Sequence, residues 1–442
     1  MTDPKKNLKG PDITKELFGG VFDIDGAGHF PGLELINFIT CCPDGILPPP
    51  GDVKVKLRRM SHDFARRLVA ERLQPGERSS VLLDAHSEHA VAHLLRCLEL
   101  DVQNTLKSKT KSWERTHFFP YTRSLVHWDA RERALSKANE ASSQILLERR
   151  YLRGGGAYAF SVLRHDTNAD RLAATRQGFS ELYPTDFQSP LERLAATLLK
   201  HGESDSEPST DPLEPLSNVK NDHWDNLYRD GIRNILSHRT SPTVQRIRAV
   251  MDWTGIWLVL LEAARAAQYL DRDGDWGGVV LDCAGTHPQL RRASQKCLKE
   301  HLARIEDAAN AQASSEDGAI SRQQMNKIKG FFSNTAAACG LLNSSKGRRH
   351  FTLKLGAIEA LVLASTEVGH DLTFESFISD WLGQRCRLIV GRESAAHAGM
   401  LTAFDATIFE ENERQFAEQM RATGMLRVYS DATRMVSPEV IQ

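Results

Sequence analysis

Residues 243–270 read TVQRIRAVMDWTGIWLVLLEAARAAQYL, and this stretch decides the fold. Ile247, Val250, Trp253, Trp257 and Leu261 recur at three- and four-residue intervals, the spacing that lines one face of an α-helix. The period predicts a core-facing helix from Thr243 to Leu270. Its longest apolar run, Gly255 to Leu261, is flanked by Asp252 and Glu262 and is far too short to span a bilayer.

Working outward, helical patterning also covers His223–Leu236 and Pro288–Ala309, with one buried strand over Gly277–Leu281. The polar stretch 310–319 reads as a break. Upstream, 131–150 and 169–200 read as helical. Between them lie Gly154-Gly155-Gly156 and a strand at Ala157–Leu163. Helical periodicity also runs from Val53 to Leu106. Residues 1–52 are rich in Gly and Pro and read as a strand-and-loop region. Residues 201–217, HGESDSEPSTDPLEPLS, are acidic and have almost nothing to bury, the composition of a flexible linker. The expected fold class is mainly α (α+β), multi-domain, with a few short strands. The expected divisions are 1–52, a helical unit over 53–200, the linker 201–217, a central helical unit over 218–345, and 346–442.

The totals bound the function. With 442 residues, 41% hydrophobic and 26% charged, the chain can bury a sizeable core. Net charge is −1 and pI about 7.0, so no global field draws it to nucleic acid or membrane. The basic N-terminal residues precede no apolar core, so a signal peptide is not expected. Seven cysteines, scattered and without a CxxC pair, argue against both a zinc ribbon and a disulfide framework, and point to a reducing cytoplasm.

The last ninety residues carry a definite order. A helix with Ile358, Leu361 and Val362 is followed by a second, capped by Thr373, with Phe374, Phe377, Ile378 and Trp381. Then come a strand at Arg387–Val390, a helix over Phe404–Thr423 stopped at Gly424, and two strands around Ser430-Asp431. Helix, helix, strand, helix, hairpin resembles a winged-helix domain over roughly residues 350–438. That resemblance implies DNA contact through the third helix. Between Asp405 and Arg421, however, five acids face two bases, which a phosphate backbone would repel. Protein contact is therefore the preferred use. Arg427 and Arg434 on the hairpin, with Arg348 and Arg349 before it and Lys107, Lys109, Lys111 and Arg115 beside Trp113, are the candidate nucleic-acid residues.

Arg233-Asn234-Ile-Leu-Ser-His238 resembles the R-N-x-x-x-H motif of HEPN-type ribonucleases. The resemblance implies that His238 moves a proton at a ribose 2′-hydroxyl while Arg233 stabilises the phosphorane. The alternative is a surface Arg and a helix-terminal His, and it is preferred.

Four further patterns are read structurally. His86, His89, His93 and Cys97 share one helical face if a helix starts near Asp84; this reads as a polar histidine face, and no metal site is assigned. Val279–Thr286 resembles the strand and loop of a Rossmann-type methyltransferase, with Asp282 ending the strand. Here His287-Pro288 stands where a further glycine is expected, so the segment reads as a buried strand and turn. Phe22-Asp23-Ile-Asp25 resembles the nucleophile loop of haloacid-dehalogenase-type phosphatases, but Ala27 replaces the usual Thr, and a turn is preferred. Asp271–Asp275 resembles a calcium loop, and Trp276 occupies the position that needs glycine.

The expectation is a non-catalytic scaffold or accessory subunit working beside nucleic-acid enzymes, in the style of accessory proteins of bacterial DNA-defence systems. Its partners would be other protein subunits, with DNA or RNA as further candidates. No cofactor and no membrane are implied.

Overall fold

The computed structural model describes residues 6–22, 30–42, 47–50, 85–98, 120–123, 154–185, 189–201, 217–270, 277–283, 285, 287–344, 348–370, 372–430 and 433–438. Most of these are helical. In chain order the first elements are β1 (Lys6–Asn7), α1 (Gly10–Phe18), α2 (Pro31–Cys41), α3 (Ala85–Leu98), α4 (Gly155–Arg164), α5 (Ala169–Leu182), α6 (Pro190–His201) and α7 (His223–Ser237). Next come α8 (Thr243–Tyr269), β2 (Val279–Val280), α9 (Pro288–Ser315), β3 (Gly318–Ala319), α10 (Arg322–Ala338) and α11 (Leu355–Ser365). The chain ends with β4 (Leu372–Thr373), α12 (Phe374–Ser376, running on as a π-helix over Phe377–Arg385), β5 (Leu388–Ile389), α13 (Arg392–His397), α14 (Ala406–Ala422), β6 (Leu426–Ser430) and β7 (Thr433–Val436).

The expected helix over 243–270 is present as α8, but it is buried far beyond one stripe. Nearly every residue from Arg246 to Ala267 is inaccessible, because α2, α7, α9, α10 and α11 pack around it. A helix surrounded on all sides has no solvent face, so its apolar residues need not keep to one side. Trp257 lies between the rings of Tyr228 and Tyr158, with centroids 4.0 and 5.7 Å away. Its indole N–H donates to the Trp224 carbonyl at 2.8 Å, which satisfies the polar end of a buried ring. Arg265, on the same helix, donates to the Tyr158 hydroxyl and pairs with Asp222 and Asp225, joining α4 and α7 to α8.

Three readings are corrected here. Within residues 1–52, read as strand and loop, α1 and α2 are helices, each with a proline in its first turn. Proline is tolerated there because its missing N–H would have no intrahelical partner. Ala157–Leu163, read as a strand, belongs to α4, and Gly154-Gly155-Gly156 is its start. The Gly154 and Gly156 amides each donate to the buried Glu34 carboxylate of α2 at 2.8 Å. The break expected at 310–319 begins later, because α9 continues to Ser315.

The short strands tie distant segments together. β1 pairs in parallel with β3, and β2 pairs in parallel with β5. The expected strand at Arg387–Val390 is thus present in part, and its partner lies in the segment 218–345. β4, β7 and β6 form an antiparallel sheet in that order. One continuous hydrophobic cluster runs from Leu8 to Val436. Among the described residues, no helix is long and apolar enough to cross a membrane. Residues 202–216 of the expected linker 201–217 and the segments 53–84 and 131–150 lie outside the described residues.

Candidate functional site

Helix α7 starts where the Asp222 side chain accepts a hydrogen bond from the Asp225 amide, and it ends at His238. The motif Arg233-Asn234-His238 therefore occupies its last turns. All three side chains turn toward the C-terminal end of α11. The Asn234 amide donates to the Ala364 carbonyl at 2.9 Å. Arg233 donates to the Asn234 side-chain Oδ1 through Nε and Nη2, and it forms an ion pair with Glu367. His238 Nε2 lies 2.9 Å from the Thr366 carbonyl oxygen and 3.0 Å from the Thr366 hydroxyl.

These contacts answer a local need. The last carbonyls of a helix have no intrahelical donors and must be satisfied from elsewhere. Asn234 and His238 supply donors to the end of α11. The motif residues engage protein groups at the end of α11 rather than an open cleft. His238 is only 3% exposed. A base for a ribose hydroxyl must come within hydrogen-bond reach of its substrate, and this imidazole already faces Thr366. Arg233 is half-exposed, and His370 stands 3.9 Å from the far oxygen of Glu367. Thr366, Glu367 and His370 carry no sequence motif, and only the packing of α7 on α11 reveals them.

The nucleic-acid candidates divide. Lys107, Lys109, Lys111 and Arg115 lie outside the described residues. Arg434 is engaged: it pairs with Glu375 at 2.6 Å, comes within 4.0 Å of Glu413, and covers the Phe374 ring with its guanidinium 4.4 Å from the centroid. Burial raises the Glu413 carboxyl above its ordinary range, against the pull of Arg434. Arg427 is half-buried on β6, in register with Met435. Arg348 is exposed and Arg349 half-buried, just before His350, whose Nε2 lies 3.7 Å from Asp282.

Helix α14 presents an exposed, charged face. Arg414 pairs with Glu411 at 2.8 Å, and Arg421 lies 3.7 Å from Glu418. Glu410 takes Arg392 of α13 at 2.8 Å. Both bases on this helix are thus matched by acids of the same helix. The buried face is anchored by Asn412. Its amide donates to the Leu281 and Val390 carbonyls at 3.0 and 2.8 Å, and its oxygen accepts from the Cys283 amide at 2.8 Å. One side chain thereby fixes α14 across the ends of both parallel strands.

The remaining patterns resolve as structure or fall outside the described residues. Asp282 accepts from the Gly285 amide at 2.8 Å and pairs with Arg291 at 3.2 Å, so the carboxylate closes its own turn. Phe22 is a core ring, 4.6 Å from Phe331; residues 23–29 and the loop 271–276 are not described. His86, His89, His93 and Cys97 sit on α3 and are exposed. Among the described residues, no group of three or more His, Cys, Asp or Glu side chains is disposed to hold a metal ion. Comparison with known proteins adds no relative: no protein family, no curated protein and no solved structure matches the chain.

Proposed function

We propose that this chain is a non-catalytic accessory subunit that meets other proteins through a winged-helix unit near its C-terminal end, within a nucleic-acid-associated complex of the cytoplasm. The run α11, β4, α12, β5, α13, α14, β6, β7, with β7 between β4 and β6, supports the winged-helix reading, β4 holding the place in the sheet expected for Arg387–Val390, since β5 pairs with β2 instead. In that fold the third helix is the usual groove reader. The observation that carries the proposal is the exposed face of α14. Its two arginines are paired with glutamates of the same helix, and Glu410 is taken by Arg392 of α13, so the face offers no unpaired cation of its own. Such a face gains nothing from phosphate, whose binding depends on releasing counterions to unpaired cations. It suits a protein surface carrying complementary charge.

Salt-dependent DNA binding separates the readings. Duplex DNA titrated with the purified chain is expected to bind weakly, and replacing Arg348, Arg349, Arg427 and Arg434 together by Ala is expected to change affinity less than about twofold. A steep salt slope that the fourfold variant flattens would instead establish direct DNA binding. RNA incubated with the same preparation is expected to stay intact.

A further inference from the structure

Buried arginines around α7 and α8 are well supplied with partners, and Arg246 is the exception. Arg265 pairs with Asp222 and Asp225, and Arg229 donates to Asn221, Asn226 and two backbone carbonyls. Arg246 is 6% exposed, and its guanidinium makes one hydrogen bond, from Nη1 to the Leu236 carbonyl at 3.3 Å. Its Nε is enclosed and has no hydrogen-bond partner among the described residues. Glu181, the acid whose charge reaches it, is taken by Arg239 at 2.6 Å. Burial accordingly holds the Arg246 pKa below its ordinary value. An enclosed cation without a counter-charge carries a desolvation cost that an anion would offset.

This cation sits at the start of α8. Pro242 is the N-cap residue, and no side chain caps the helix. The Val244 and Gln245 amides, which a capping side chain would take, therefore find no protein acceptor among the described residues. Ser241 precedes the cap, and Arg246 is the fourth helical residue. Side chains at those two positions meet at helix starts, because a helical side chain leans toward the N-terminus. The Ser241 hydroxyl is also enclosed without a partner, in a residue 6% exposed. Two buried polar side chains with unmet hydrogen-bonding capacity thus flank one uncapped helix end.

We infer that Arg246, Ser241 and the first amides of α8 form a binding site for a phosphate-class oxyanion. A tetrahedral anion supplies what each group lacks. One oxygen accepts from the Arg246 guanidinium, a second from the Ser241 hydroxyl, and a third from the Val244 and Gln245 amides. A helix N-terminus adds its positive dipole end, and a guanidinium fork matches phosphate geometry. Arg239, whose charge also reaches Arg246, extends the positive field. Thr243 is exposed and Val244 is 39% exposed, so this end of the helix opens to solvent and gives the anion a way in. The site stands independently of the accessory-subunit reading.

The test titrates inorganic phosphate into the full chain by calorimetry, with ionic strength held constant by chloride, and follows the thermal unfolding midpoint. One saturable phosphate per chain and a rising midpoint are expected. Ser241→Ala removes a hydroxyl that holds nothing in the fold. It is expected to leave the phosphate-free midpoint unchanged and to weaken phosphate binding by about two- to tenfold. Arg246→Gln is expected to weaken it by about tenfold or more. Displacement of phosphate by adenosine monophosphate would support a receiver of phosphoryl ends on larger molecules, and its failure to displace would support the free anion as ligand. Absence of saturable phosphate binding in the parent would overturn the assignment. So would full-strength binding in Ser241→Ala and Arg246→Gln alike.

Discussion

Glu262 shows how one residue carries a pH dependence for the fold. It lies in the middle of α8, wholly inaccessible, and neither carboxyl oxygen has a hydrogen-bond partner. Burial alone pushes its pKa well above the ordinary carboxylate value. The native state therefore keeps a proton that the unfolded chain releases near pH 4.3. Between those two values the native state binds more protons, so stability falls as pH rises through that window and is fully retained below it. Glu262→Gln keeps the shape and removes the titration. Urea unfolding at a series of pH values is expected to show the variant gaining on the parent from pH 4 to pH 8; parallel curves would refute this account of Glu262. The motif at Arg233 and His238 makes a second residue-scale case. His238→Ala leaves the Thr366 carbonyl and hydroxyl without that partner and is expected to cost about 1–3 kcal/mol by chemical denaturation. Arg233→Ala, which removes a half-exposed ion pair, is expected to cost less than about 1 kcal/mol. The spacing of this motif was legible in the chain. Its engagement with Thr366 was not, because the partner lies 128 residues away.

Among the elements, α2 and α4 are held at close range by glycine. A Cβ on Gly156 would stand 2.5 Å from the Leu35 amide and the Pro31 carbonyl oxygen, both backbone atoms that cannot step aside. Gly156→Ala is therefore expected to destabilise by about 1–3 kcal/mol or more, visible as a lowered unfolding midpoint. Asn412→Ala is expected to cost a comparable 2–4 kcal/mol, since it strips partners from three buried backbone groups at once. Element type was readable wherever a helix keeps a polar face, as in α5, α7 and α14. It was misread in α4, where Tyr158, Phe160 and Val162 alternate like a strand and every residue is buried, so no helical stripe exists to be seen. Likewise α1 and α2 are hidden because Gly and Pro usually signal loops, whereas here a proline sits in the first turn of each helix.

Across the whole molecule, α8 is the axis on which the other segments depend. The parallel pairs β1–β3 and β2–β5 join residues more than a hundred positions apart; β2 and β5 are legible as short apolar runs, but their pairing is not, and the two-residue β1 and β3 leave no period by which to find them. The division placed at 345/346 is crossed by β2–β5 and by the packing of α11 on α8. A chain ending at residue 345 would bare the apolar side of α8 and is expected to be insoluble or to bind a hydrophobic dye strongly. A soluble fragment with a sharp thermal transition would mean that the division is a true boundary. On the outer surface, the charged face of α14 is the one proposed to meet partner proteins. The decisive measurement is a comparison of the tagged parent chain with its Glu410→Lys, Glu418→Lys variant, each captured from the native host with nuclease treatment and quantified by mass spectrometry. Stoichiometric protein partners that survive nuclease and are lost in the variant are expected. Partners that vanish with nuclease, or that the variant retains in full, would contradict a protein-binding role for this face.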